Sequence, residues 1–143
     1  MSNIVETAIA AGDFKTLVLA IQAAGLVETL SGQGPFTVFA PTDEAFRNLP
    51  TGTLEGLLKD LPRLKSILSY HVVNRKMMSA EMHNLASEGR TSNITTVQGS
   101  AVTLKTQGIL QKSIYVDNAK VVKQDIETTN GVIQVLDKVL MPR

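Results

Sequence analysis

The segment FTVFA, Phe36 to Ala40, has a proline on each side, at Pro35 and Pro41. Its aromatic and β-branched residues predict a buried strand. Proline has no backbone N–H group to donate to a neighbouring strand, so the two prolines limit this strand to a few residues. Thr42 predicts a helix N-cap directly afterwards, and Asp43 would then lie at the positive end of the helix dipole. Any fold of this chain must therefore turn from strand to helix here.

The chain divides into a helical first half and a strand-rich second half. Helices are predicted from Phe14 to about Ala24, with Asp13 as N-cap, then over residues 53–60, and then from Pro62 to near Tyr70. Strands are predicted over residues 71–74, 95–97, 101–106, 113–116, 119–123 and 132–139. A length of 143 residues is typical of one domain. We expect a single α+β domain over residues 1–143, with helices ahead of and beside an antiparallel sheet.

Composition excludes several classes of function. Lys plus Arg number 14 and Asp plus Glu 13, and this balance of charge argues against a nucleic-acid partner. The chain has no cysteine, which excludes disulfides and cysteine-ligated metals. No apolar run is long enough to span a bilayer. The first residues have neither a basic region nor a long apolar region, so we expect any export signal to lie outside this sequence.

The segment ILSYHVV, Ile67 to Val73, contains one of the two histidines and one of the two tyrosines. One hypothesis makes His71 the base of a hydrolase triad with Ser69 and Asp43. No Gly-x-Ser-x-Gly turn surrounds Ser69, which argues against this reading. The favoured hypothesis is a buried histidine whose ring nitrogens pair with Thr42 and Asp43, because buried polar groups are normally hydrogen-bonded. We therefore expect a structural polar network of these three residues.

Three segments together resemble the fasciclin-type domain. They are GPFTVFAPTDEAF (Gly34 to Phe46), ILSYHVV (Ile67 to Val73) and NGVIQVLDKVLMP (Asn130 to Pro142). The similarity extends over residues 4–142. It implies a wedge of two β-sheets with helices packed on one side, and no enzymatic activity. It also implies a secreted, periplasmic or cell-surface protein that mediates adhesion or matrix interaction.

The resemblance also suggests residues that contact a partner. Asp125 and Ile126 match the centre of a cell-binding motif proposed for adhesive members, and the region of Tyr70 and His71 is linked to integrin binding in animal members. These four residues are hypothetical partner-binding positions. Ordinary strand alternation is the favoured interpretation of the first pair, and packing within the fold is the favoured interpretation of the second. The family usually has histidine where this chain has Gln134, and an amide cannot titrate.

A second class of function, a carrier of an apolar ligand, is the alternative. Some algal members bind carotenoids, and Met77, Met78 and Met82 form a group of adaptable apolar side chains. No cofactor or metal site is expected, since the ligand spacings are missing. Asn93-Ile94-Thr95 matches the N-glycosylation sequon. The expected partners are a protein or a glycan at a cell surface or matrix, with weak self-association.

Overall fold

The computed structural model describes residues 3–32, 34–49, 52–85, 91–107, 113–117 and 119–140. Its helices are α1 (Ile4–Ala11), α2 (Lys15–Ala23), α3 (Val27–Leu30), α4 (Asp43–Arg47), α5 (Thr53–Lys59), α6 (Leu61–Ser69) and α7 (Ser79–Leu85). Its strands are β1 (Phe36–Pro41), β2 (Val72–Val73), β3 (Ser92–Thr95), β4 (Ala101–Gln107), β5 (Ser113–Val116), β6 (Ala119–Thr128) and β7 (Gly131–Leu136).

The strands form one hydrogen-bonded order, β2-β1-β7-β6-β5-β4-β3. Neighbours are antiparallel except for β1 and β7, which run parallel from Phe36 opposite Gly131 to Pro41 opposite Leu136. The expectation of a wholly antiparallel sheet was therefore wrong at this pair. Both strands are almost entirely buried, as is usual for parallel strands that are covered on both faces. Gly131 permits the pairing, because a Cβ atom there would overlap the carbonyl oxygen of Phe36.

Two apolar clusters lie on opposite faces of the β1–β7 pair. Val38 and Ile133 point into the cluster built with α1, α2 and α6, whereas Phe39 and Leu136 point into the cluster enclosed by β3 to β6. The expected α+β fold, with helices packed on one side, is confirmed. The two expected sheets are joined into one order by β6, which pairs with both β5 and β7 and changes register between Lys123 and Ile126.

The turn from β1 into α4 also fixes the start of α2. The predicted N-cap at Thr42 is present, and its Oγ1 accepts a hydrogen bond of 3.2 Å from the backbone N–H of Ala45. The predicted N-cap at Asp13 was wrong. Helix α2 begins one residue later than expected, and the backbone N–H of Thr16 donates instead to Asp43 Oδ1 at 2.7 Å. The carboxylate that caps α2 therefore comes from the first residue of α4.

Candidate functional site

His71 lies between the end of α6 and the start of β2, with 1% of its surface exposed. Its Nδ1 is 2.8 Å from the carbonyl oxygen of Ile67, and its Nε2 accepts a hydrogen bond of 2.9 Å from the backbone N–H of Leu140. A carbonyl oxygen can only accept, so the ring proton lies on Nδ1. These contacts replace the expected partners Thr42 and Asp43, which instead bond to backbone N–H groups at the starts of α4 and α2.

The environment of His71 keeps its ring neutral. Burial lowers its pKa from 6.5 to about 4, although the Ile67 carbonyl and the charge of Asp117 each raise it in part. A catalytic base needs a free nitrogen facing the proton that it removes. Both ring nitrogens already bond to backbone groups, so the proposed triad with Ser69 and Asp43 is not assembled here.

Tyr70 is also buried, with 3% of its surface exposed. Its hydroxyl is 2.6 Å from Asp117 Oδ2 and 3.2 Å from the carbonyl oxygen of Ala101, and it donates to the nearer group. The other carboxylate oxygen of Asp117 accepts from the backbone N–H of Thr103 at 2.8 Å. Tyr70 therefore joins the end of α6 to β4 and β5. Tyr70 and His71 were expected to contact a partner, but neither side chain reaches the surface of this structure.

Asp125 lies at the irregular point of β6, with a left-handed φ of 59°. Its Oδ1 accepts from the backbone N–H of Ser79 at 2.7 Å, and its Oδ2 accepts from the Ser79 hydroxyl at 2.5 Å. Burial raises the pKa of Asp125, but the hydrogen bonds from Ser79 and Gln134 more than offset this and lower it overall. The carboxylate thus caps the amino end of α7. Ile126, the other expected contact residue, is half-buried and packs against the helical core cluster.

Gln134 organises this region, and the sequence alone did not show that role. It is fully buried on β7, and its Nε2 donates to Asp125 Oδ1 at 2.9 Å and to the Met77 carbonyl at 3.0 Å. Its Oε1 accepts from the backbone N–H of Asp125 at 3.0 Å. A side-chain amide can both donate and accept, and Gln134 does both with Asp125: it donates to the carboxylate and accepts from the backbone N–H. The sequence signal that could have indicated this role was the glutamine at position 134, where the family usually has histidine.

The methionines do not form a ligand site. Met77 and Met82 are fully buried in the cluster enclosed by the strands, and Met78 is half-buried. A groove of about 800 Å³ lies elsewhere, between α4 and the β6–β7 side, with Glu44, Val122 and Lys138 among its lining residues. Within the described ranges, no group of three acidic or imidazole side chains could hold a metal ion.

These features together are those of a known domain type: a buried Tyr-His pair, a parallel β1–β7 pair and helices over one face. The family model for the fasciclin domain matches residues 12–142. The chain belongs to the fasciclin-domain family. Fasciclin-family homologues are non-enzymatic adhesion-type proteins. No helix in the described part of the fasciclin domain is long and apolar enough to cross a membrane.

Similar proteins include "Uncharacterized protein sll1735" from Synechocystis sp., which is 44% identical over 142 residues, covering 99% of this chain and 98% of that protein. "Transforming growth factor-beta-induced protein ig-h3" from Sus scrofa is 38% identical over 129 residues, covering 90% of this chain but 18% of that protein. Among solved structures, a FAS1 domain pair from the insect cell adhesion molecule fasciclin I matches with a TM-score of 0.76 at 19% identity. That match covers 92% of this chain and 46% of the other, and it supports the fold alone.

Proposed function

We propose that this fasciclin domain is a non-catalytic adhesion module that acts outside the cell, whether secreted, periplasmic or held at the surface. The observation that carries this proposal is the pairing of both His71 ring nitrogens with buried backbone groups. His71 is the residue best suited to proton transfer, and both of its ring nitrogens are occupied by structural hydrogen bonds. Membership of an adhesion-type family supports the same function.

The partner in this proposal is a protein or a glycan, bound on an exposed face of the domain. Asp125 and Ile126 are half-exposed, but the carboxylate of Asp125 already accepts three hydrogen bonds from Ser79 and Gln134. We therefore assign Asp125 a positioning role, in which it holds the amino end of α7 beside the surface. Weak self-association belongs to the same proposal, and sedimentation velocity over a range of concentrations tests it.

Attachment of coated beads tests the adhesion function. Fluorescent beads carrying the native domain should attach under gentle flow to intact cells or to surfaces coated with matrix protein or polysaccharide. Beads carrying the same chain after irreversible heat denaturation control for non-specific sticking. Equal attachment of both bead types on every surface, with a native circular dichroism spectrum for the first, would contradict the proposal.

A further inference from the structure

Three side chains form a row across the strands β4, β5 and β6. Lys105 lies directly opposite Tyr115, and Tyr115 lies directly opposite Lys120. Directly opposite residues of antiparallel strands project from the same face of a sheet. The alternate residues Leu104 and Val116 are fully buried, so the row faces away from the core.

The row is accessible, and its charges are available for a ligand. Lys105 and Tyr115 are half-exposed and Lys120 is exposed. The ion pairs found in the described part of the chain, Arg75–Glu81 and Lys76–Glu127, involve neither lysine of the row. Asp137 lies beyond the end of the row, where its carboxylate accepts a hydrogen bond of 2.9 Å from the backbone N–H of Lys120.

Tyr115 holds one of the two charges in place. The ammonium of Lys105 lies over its ring, 5.8 Å from the centroid, within the range of a cation–π contact. A cation that is already positioned loses less conformational freedom when a ligand binds. Lys105 and Lys120 are two strand spacings apart, about 9–10 Å. This is close to the length of a disaccharide, so two carboxylates on an extended sugar chain could reach both ammonium groups.

The position of the row argues against the other anionic macromolecules. Peptides commonly bind by adding a strand at a sheet edge, but β4, β5 and β6 each have neighbours on both sides. Anionic membranes are recognised by clusters of roughly four to eight basic residues, and nucleic acids by larger basic surfaces. The whole chain has a net charge of only +1. A polysaccharide needs only side-chain donors on an open face, which this row provides.

We propose that the row Lys105–Tyr115–Lys120 is a binding surface for an acidic, uronate-bearing polysaccharide. The lysines pair with carboxylates that lie one disaccharide apart along the chain, and the Tyr115 hydroxyl donates a hydrogen bond between them. This inference rests on the proposed adhesion function and names the partner class for it. The contacts are exposed and charge-dependent, so the affinity should be modest and should fall with added salt.

Binding of the full chain to immobilised polygalacturonate tests this proposal, with the methyl-esterified polymer as the uncharged reference surface. The variant Lys105→Gln/Lys120→Gln removes both charges of the row. The matched control Lys59→Gln/Lys65→Gln removes two exposed lysines from α5 and α6 and lowers the net charge equally. We expect the row variant to bind about 2- to 30-fold more weakly than wild type, from two exposed ion pairs. The control variant should bind like wild type, and all three proteins should melt alike.

Each other outcome would overturn the assignment. Equal losses in both double variants would mean that net charge alone drives binding. Equal binding of wild type to the charged and esterified polymers would exclude carboxylate recognition. Preferential binding to anionic vesicles or to polyglutamate would indicate a membrane or an acidic protein instead. Bead attachment separates the two proposals: attachment that persists with the row variant retains the adhesion function and rejects this surface, whereas no attachment by wild type rejects the adhesion function itself.

Discussion

Replacement of His71 by glutamine should remove a defined part of the pH dependence of folding. In the folded protein burial lowers the pKa of His71 from 6.5 to about 4, whereas the unfolded chain retains the ordinary value. Above pH 6.5 the ring is neutral in both states, so it does not make the free energy of unfolding depend on pH. As the pH falls from 6.5 to about 4, the unfolded chain binds the proton first, so the stability of the folded state decreases. Below that range both states are protonated and the contribution is constant.

The size of this effect follows from the shift in pKa. A shift of one unit corresponds to about 1.4 kcal/mol, so wild type should lose about 3 kcal/mol through His71 across this range. His71→Gln cannot titrate and should not show this loss. At neutral pH the variant should be less stable than wild type by about 1–3 kcal/mol, because glutamine cannot reproduce both buried hydrogen bonds. The two free energies of unfolding should therefore converge, or cross, as the solution is acidified.

Urea unfolding of both proteins, followed by circular dichroism at a series of pH values, measures this difference directly. The two proteins differ only at residue 71, so a difference between their pH profiles is due to the His71 side chain. Parallel pH profiles of wild type and His71→Gln would refute the assignment of His71 as a neutral acceptor of the Leu140 N–H group.

Three other substitutions test the fold around the site, each by urea unfolding at neutral pH. Asp43→Ala should lower the free energy of unfolding by about 1 kcal/mol because it removes the cap of α2. Asp13→Ala should change it by less than about 0.5 kcal/mol. Equal losses in the two variants would contradict the assignment of Asp43 as the cap. Asp125→Asn should cost about 1–2 kcal/mol, since the amide cannot accept every bond made by the carboxylate, and an unchanged stability would exclude the capping of α7. Gly131→Ala should lower the free energy of unfolding by about 1–3 kcal/mol, because the added Cβ atom overlaps with β1. Gly56→Ala, on an open helix face, should raise it by about 0.5–1 kcal/mol. Similar effects of the two substitutions would contradict the close contact between the strands.

Local patterns in the sequence predicted the local structure well. The proline-bounded strand, the N-cap at Thr42 and the alternation of β4 and β5 all depend on residues close together in the chain. Helix α1 was not predicted from its own residues. Its signal was nevertheless local, since Asn3 and Glu6 form a capping box at its start.

Contacts between distant segments could not be predicted in this way. Asp13 and Asp43 are both plausible caps by residue type, and only the packing of α4 against α2 decides which carboxylate is used. Asn130 likewise donates to the carbonyl oxygens of Leu30 and Gly32, which lie 100 and 98 positions earlier in the chain. The partners of His71 are backbone groups, which every residue type carries, so no sequence pattern distinguishes them.

In the function proposed here, the domain binds its partner through an exposed face rather than through its buried Tyr-His pair. Titration of the ¹⁵N-labelled chain with oligogalacturonate, followed by amide chemical shifts, tests that claim most directly. We expect shifts that cluster at Lys105, Tyr115 and Lys120 and little change at His71. Shifts centred on Tyr70 and His71, or on Asp125 and α7, would contradict it.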